Sequence, residues 1–334
     1  MTTITYIGAG VMASGLTFPA FENGNTIRMV GTPLDRAIID QLQKDNYHIR
    51  LKRVLHTGIT YYQVEDLDVA LEGADVVVCG VSSFGVDWFT EKVLPKIPPK
   101  VRILSVTKGL LDQPNGALLT FPAYWQQKAP DLSIYAIGGP CVTRELADHE
   151  PSCVTYCGKN KKDLVWLRSL FETSYYHISL STDVAGVETA VALKNGYALG
   201  VALTIGLQGG KDTGNYNAQA AAFGQAVREM ERLIVVAGGQ LESSMVGIGD
   251  LYVTVFGGRS RKIGILLGEG YSLEQAMEKL QGETLESVVI ASRVARAIKT
   301  LHKEAEFPLL IHMDGVINEG KPATMPWKEF ETTF

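Results

Sequence analysis

The chain has 334 residues, a formal net charge of −5, 46% hydrophobic and 20% charged residues, and it exceeds the range in which one core keeps growing, so two domains are the default. That composition excludes disorder, a collagen-like repeat and a disulfide scaffold. The acidic balance argues against a nucleic-acid partner, which needs a basic face, yet permits a small anionic substrate held by locally clustered cations.

The opening MTTITYIGAG shows no targeting pattern and leads directly into a strand. Strands are predicted at Thr3–Ile7, Thr26–Val30, Asp75–Val81, Val101–Ser105, Leu132–Ile137, Cys153–Tyr156 and Tyr176–Leu180. They alternate with helical patterns, which argues a mostly parallel sheet with helices on both faces. The runs DVVVCGV and IYAIGG are continuously apolar, as central strands buried on both faces should be. After Thr182 the periodicity predicts helices at Val184–Leu207, Asn217–Ala237, Arg261–Leu267, Ser272–Lys279 and Glu286–His302. Gly238–Gly239 and Gly247–Gly249 read as breaks between them. Ser272 followed by Gln275 is a capping-box pattern. The uncharged stretch Asn195–Gly210 is shorter than the ~20 residues that span a bilayer, so a buried helix and no membrane span are expected. The Ala- and Gly-rich helix at Val184–Leu207 fits either the core or the face of a homodimer. The four cysteines, Cys79, Cys141, Cys153 and Cys157, lack paired metal spacing and read as reduced thiols of a cytoplasmic protein; no metal is expected.

Between the first strand and the next helical pattern, Gly8-Ala9-Gly10-Val11-Met12-Ala13 matches G-x-G-x-x-G/A. Gly8 permits the turn, Gly10 lets a pyrophosphate approach the backbone, and Ala13 stays small where helix meets strand. On the first strand of a parallel pattern this is read as a dinucleotide site rather than a structural turn. The fold class expected is therefore α/β: an N-terminal Rossmann-type, doubly wound, mostly parallel sheet over 1–182, then an all-α domain over 183–334. Thr32 stands where an enzyme strict for NAD usually carries an acid for the ribose, and Arg36 follows closely. NAD or NADP is expected, with a lean to NADP; the alternative is that Asp35 and Arg36 are solvated helix-start residues.

Hydride transfer to a ketone needs a proton donor at the carbonyl oxygen. The six histidines lie outside any motif and read as surface or satisfied side chains. Lys194 stands in an otherwise apolar helix, where it is either a tunable acid or a snorkelling side chain at a helix edge. Asn195 beside it bends the helix or bonds a ligand. Gly257-Gly258-Arg259-Ser260-Arg261-Lys262 offers a seat for a phosphate monoester, or a solvated basic helix start. Asp250 is a charge partner for a lysine, or a helix cap. Lys108 follows a strand at the end where open sheets bind ligands. Gly138-Gly139-Pro140-Cys141 ends another strand and lends backbone N–H groups or simply turns.

The blocks GAGVMA, SVTKGL, GGPCVTRELAD, GVETAVALKN, GIGDLYVTVFGGRSRK and KLQG, together with FPLLIHMDGVINEGKP, resemble the NAD(P)-dependent glycerol-3-phosphate dehydrogenases over essentially the whole chain. The resemblance implies interconversion of dihydroxyacetone phosphate and glycerol 3-phosphate with NAD(P)(H). It implies Lys194 as general acid/base, Asp250 as its partner, and Lys108 near substrate and nicotinamide. Arg259, Ser260 and Arg261 would hold the substrate phosphate, with Thr254, Asn195, Gly139 and Cys141 assisting. Besides the glycine turn, Thr32, Phe84, Thr143, Arg261, Lys279 and Gln281 would meet the cofactor. Cys141, Lys262 and Gln225 depart from the residues usual in that family. A 2-keto or β-hydroxyacid reductase, or a dinucleotide sensor without turnover, are the rival expectations.

Overall fold

The computed structural model describes residues 1–210, 214, 216–281 and 286–330. The chain splits into two compact units, Met1–Lys108 with Phe121–Val184, and Gly109–Thr120 with Ala185–Phe334.

The first unit begins with β1 Thr3–Ile7, α1 Val11–Gly15, α2 Thr17–Glu22, β2 Thr26–Val30 and α3 Arg36–Asp45. A two-stranded ribbon, β3 Tyr47–His48 with β4 Arg53–Val54, precedes β5 Thr60–Tyr62, α4 Leu67–Leu71, β6 Val76–Cys79, α5 Val86–Trp88 and β7 Arg102–Ser105. A hairpin, β8 Leu110–Asp112 with β9 Leu118–Thr120, belongs to the other unit. The chain then adds α6 Phe121–Lys128, β10 Ser133–Gly138, α7 Thr143–Ala147, β11 Ser152–Cys157, α8 Lys161–Phe171 and β12 Tyr176–Ser181.

Eight strands form one sheet in the order β12-β11-β10-β7-β6-β1-β2-β5. All neighbours are parallel except β10 and β11. Val76, Val77, Val78 and Cys79 are each 0% exposed, so β6 is covered on both faces, as its unbroken apolar run requires. The order reverses at β1, which has β2 on one side and β6 on the other. Open parallel sheets take ligands at such a reversal, beyond the carboxyl ends of the strands, and Gly8–Gly10 lies there.

The second unit holds α9 Val184–Gly206, α10 Tyr216–Val236, α11 Ser244–Val255, α12 Gly258–Gly268, α13 Leu273–Lys279, α14 Glu286–Thr300 and α15 Pro308–Asn318. The hairpin β8–β9 joins it through the Leu110 carbonyl, which accepts from Arg293, and Asp112, which pairs with Arg296 at 2.9 Å. The segment 109–120 thus departs from a simple division near residue 182. Every residue of α9 from Gly186 to Gly206 is buried except Lys194 and Asn195. The helix serves the core of its own unit, and a homodimer would have to use other surfaces.

Gly247 and Gly249 do not break the chain as expected; both lie inside α11. A Cβ on Gly247 would stand 2.9 Å from the Ala190 carbonyl, so the glycine is there for close helix packing rather than for a turn. The same holds for Gly264, whose Cβ would meet the Leu199 carbonyl at 2.5 Å; it lets α12 lie directly against α9. Ser272 caps α13 with the capping box intact. Glu229, fully buried on α10, accepts from the backbone N–H groups of Leu309 and Leu310 at 2.7 and 2.9 Å, and from Gln225 and Tyr197. A side chain distant in sequence thereby caps the start of α15, where Pro308 already suits the first helical position.

Candidate active site

In the first unit, Gly8 has φ +96° and its N–H donates to the Val30 carbonyl at 2.8 Å. A side chain there would be strained and would press on the Gly80 carbonyl at 3.2 Å. Gly80 in turn could carry no Cβ, which would meet the Ala13 Cβ at 2.4 Å; the third motif position stays small for this reason. Gly10 differs. Its φ is −68°, and a Cβ would find only the Gly80 carbonyl, at 3.4 Å. The fold does not demand glycine at that place, and the bare backbone there is of the kind that a dinucleotide pyrophosphate can approach.

Of this unit's other expected residues, Thr143 and Thr32 are tied to the turn. Thr143 Oγ1 lies 3.4 Å from Met12 Sδ, and Lys108 Nζ donates to the Gly139 carbonyl at 3.5 Å. Gly139 has φ +113°, and a Cβ there would stand 3.2 Å from Val154 Cα, so the backbone turns sharply under β11. Cys141 is half-buried, and Phe84 is 53% exposed on the turn after β6. Asp35 corrects the expectation of a solvated acid: it is 7% exposed, and its Oδ2 accepts from Thr32 N–H, Thr32 Oγ1 and Ala9 N–H. Arg36 remains on the surface in an ion pair with Glu65. Sequence reasoning missed this contact of Asp35 with the turn, although the Thr32-x-x-Asp35 spacing is itself a capping pattern.

In the second unit, α9 presents Lys194 and Asn195. Lys194 Nζ lies 2.5 Å from Asp250 Oδ1, with side chains 16% and 1% exposed. Asp250 sits in the body of α11, not at its start, so the helix-cap reading is excluded. Thr254, one turn on, bonds back to the Asp250 carbonyl at 2.6 Å. Ser260, buried at the start of α12, donates to Asn195 Oδ1 at 3.5 Å, while Arg261 Nη1 donates to the Val255 carbonyl at 3.0 Å. Arg259 and Lys262 are exposed. The close crossing of α12 on α9 thus brings the Gly-Gly-Arg-Ser-Arg start beside the Lys194-Asn195 pair. Lys279 lies over the Tyr271 ring at 4.6 Å, and Gln281 is exposed with φ +53° just beyond α13. Gly282, the last residue of the KLQG block, lies outside the described residues.

A nicotinamide-linked oxidoreductase that reduces a carbonyl needs a dinucleotide site and a positioned proton donor, and the glycine turn and the Lys194 ammonium are of those two kinds. The comparisons narrow this class. The description "NAD-dependent glycerol-3-phosphate dehydrogenase N-terminus" matches residues 3–164, and the corresponding C-terminus matches residues 183–327. An NADP(+)-dependent glycerol-3-phosphate dehydrogenase of Archaeoglobus fulgidus is 35% identical over 282 residues, 83% of this chain and 83% of its own. A glycerol-3-phosphate dehydrogenase (NAD(P)+) of Bacillus velezensis is 30% identical over 86% of this chain and 82% of its own. The crystal structure of a glycerol-3-phosphate dehydrogenase from Coxiella burnetii shares the fold, with a TM-score of 0.85 over 98% of both chains at 24% identity. The chain belongs to the NAD-dependent glycerol-3-phosphate dehydrogenase family.

Proposed function

We propose that this protein interconverts dihydroxyacetone phosphate and sn-glycerol 3-phosphate with NAD(P)(H), and that Lys194 is its general acid/base. The observation that carries the reading is the pair of Lys194 with buried Asp250, on a helix whose other residues from Gly186 to Gly206, Asn195 apart, are all buried. An ammonium so placed has an electrostatic partner and no apolar function. Bound in the glycine turn, a reduced nicotinamide cofactor supplies the hydride.

Lys194 donates a proton to the ketone oxygen as negative charge develops there, and takes it back in the reverse direction. Asp250 keeps the ammonium aimed. Arg259, Ser260 and Arg261 hold the phosphate of the substrate, with Asn195 and Thr254 fixing the triose between phosphate and lysine; Lys108, Gly139 and Cys141 are further substrate residues of this reading. Lys108, with Thr32, Phe84, Thr143, Arg261, Lys279 and Gln281, completes the cofactor site. NADP is the cofactor we expect to be preferred, because Asp35 is turned inward on the Ala9 N–H and offers no carboxylate to the ribose. A cytoplasmic location accords with four cysteines that form no disulfide among the described residues, and among those residues no helix is long and apolar enough to cross a membrane.

The test is absorbance at the nicotinamide band with dihydroxyacetone phosphate and each reduced cofactor, alongside 2-keto acids. Oxidation with the phosphorylated ketone alone is expected. Turnover confined to the carboxylates would replace this reading with that of a keto-acid reductase, and cofactor binding without any turnover would replace it with a sensor.

A further inference from the structure

We propose that His48 and Asp35 are positioning residues of the dinucleotide turn, holding the peptide groups of Ala9 from opposite sides so that the Gly10 backbone faces the pyrophosphate. The inference rests on the reading that this turn takes a dinucleotide.

Ala9 is fully buried, yet it lies between two glycines, the residues that restrain a backbone least. Something else has to set its orientation. Its N–H donates to Asp35 Oδ2 at 3.2 Å, and that oxygen is held by Thr32 N–H at 2.9 Å and Thr32 Oγ1 at 2.7 Å. Its carbonyl lies 2.9 Å from His48 Nε2. The other ring nitrogen, Nδ1, accepts the Leu51 N–H at 2.9 Å, which places the ring proton on Nε2 and makes it the donor to Ala9. His48 is 0% exposed, and burial holds its pKa below the ordinary value, so the imidazole stays neutral with that one proton in place.

The consequence follows from the planarity of the peptide. In a trans peptide the C=O and the following N–H point in opposite directions. With the Ala9 carbonyl committed to His48, the N–H of Gly10 is aimed away from it. The short ribbon β3–β4, which does not join the main sheet, supplies His48 from its first strand, and the start of α3 supplies Asp35. Neither side chain reaches the cofactor in this scheme; each acts through the peptide groups of Ala9.

Two isosteres separate this role from ordinary packing. In His48→Asn the side-chain amide keeps the place of Nδ1 and loses the reach of Nε2; in His48→Gln the terminal amide keeps the place of Nε2. Dissociation constants for NADPH and NADH, measured by titration calorimetry on the full chain, should rise about tenfold in His48→Asn and stay within about threefold of wild type in His48→Gln. With saturating cofactor, kcat and the KM for dihydroxyacetone phosphate should change by less than about twofold. A folded His48→Asn with wild-type cofactor affinity, or one that loses kcat and both affinities together, overturns the proposal, as does a His48→Gln no better than His48→Asn. Should His48→Asn not fold, Asp35→Ala releases the Ala9 N–H from the other side and carries the same expectation and the same refutation. If neither variant folds, the contacts are structural and the assignment falls. Wild-type protein that binds neither cofactor would instead remove the dinucleotide reading itself.

Discussion

Replacing Lys194 by methionine keeps most of the stem and deletes the ammonium, which separates stability from catalysis at one position. Asp250, 1% exposed and 2.5 Å from Nζ in the native chain, would then be a buried carboxylate that has lost the Lys194 ammonium. Breaking a buried pair by removing one member costs about 3–5 kcal/mol. At roughly 2–4 °C per kcal/mol for a unit of this size, the melting temperature should drop by roughly 6–20 °C. Adding Asp250→Asn removes the stranded charge, so the double variant should regain most of that loss, the two substitutions being far from additive. Turnover should behave differently. A positioned acid contributes about 10²–10⁴-fold, so kcat at saturating cofactor should fall by that factor in Lys194→Met and stay low in the double variant. Thermal melts and steady-state kinetics on the three proteins decide the matter. A single variant melting within about 2 °C of wild type would refute the buried pair, and kcat within tenfold of wild type, or restored in the double variant, would refute the proton-transfer role.

Arg259→Ala and Arg261→Ala should each raise the KM for the phosphorylated substrate about 10- to 100-fold with little change in kcat, the loss expected for a charge-assisted contact; an unchanged KM in both would move the phosphate elsewhere. Gly10→Ala should melt like wild type, since its φ of −68° suits alanine and nothing stands nearer than 3.4 Å, while weakening NADPH at least about tenfold. Gly8→Ala, at φ +96°, should instead lose about 1–3 kcal/mol of stability; equal melting of the two would contradict the distinction. Burial pushes the Glu229 carboxyl from 4.5 up to about 7, against four donors that pull it down. The folded chain therefore holds a proton that the unfolded chain releases between these values. Its contribution is complete below pH 4.5 and is lost as pH rises through about 7, amounting to about 3 kcal/mol. Melting of wild type relative to Glu229→Gln should decline over pH 5–8, and parallel curves would disprove it.

Where a local rule governs, the sequence was readable to the residue. Thr3–Ile7 and Thr26–Val30 are strands with those ends, because β-branched runs bounded by Gly and polar residues leave little choice. Ser272 and Gln275 form the box their spacing announced. The apolar run around Lys194 reads as a helix for the core or for a subunit face, and burial on nearly every side decides between them. Failures have a common physical origin in contacts that join distant residues. The β3–β4 ribbon is two residues per strand, too short for any periodicity. Gly247 reads as a breaker until Ala190 is placed against it. Asp35 and His48 looked like ordinary surface or satisfied side chains because their partner, the backbone of Ala9, lies 26 and 39 residues away. The Leu110–Thr120 hairpin does carry a local sign, Asn115-Gly116 between apolar runs.

That hairpin has a practical bearing on how the molecule can be taken apart. The backbone passes from one unit to the other after Lys108, returns at Phe121 and leaves again after Val184, so three peptide links, not one hinge, tie the halves. A fragment cut near Ser181 would carry Leu110 and Leu118, 0% and 8% exposed in the intact chain, with no α14 to cover them. The complementary fragment would leave Arg293 and Arg296 without the Leu110 carbonyl and Asp112. Truncation at the apparent border should therefore yield two sticky, poorly soluble pieces, and a separately expressed half that behaves well will need residues 109–120 removed from one side and supplied to the other.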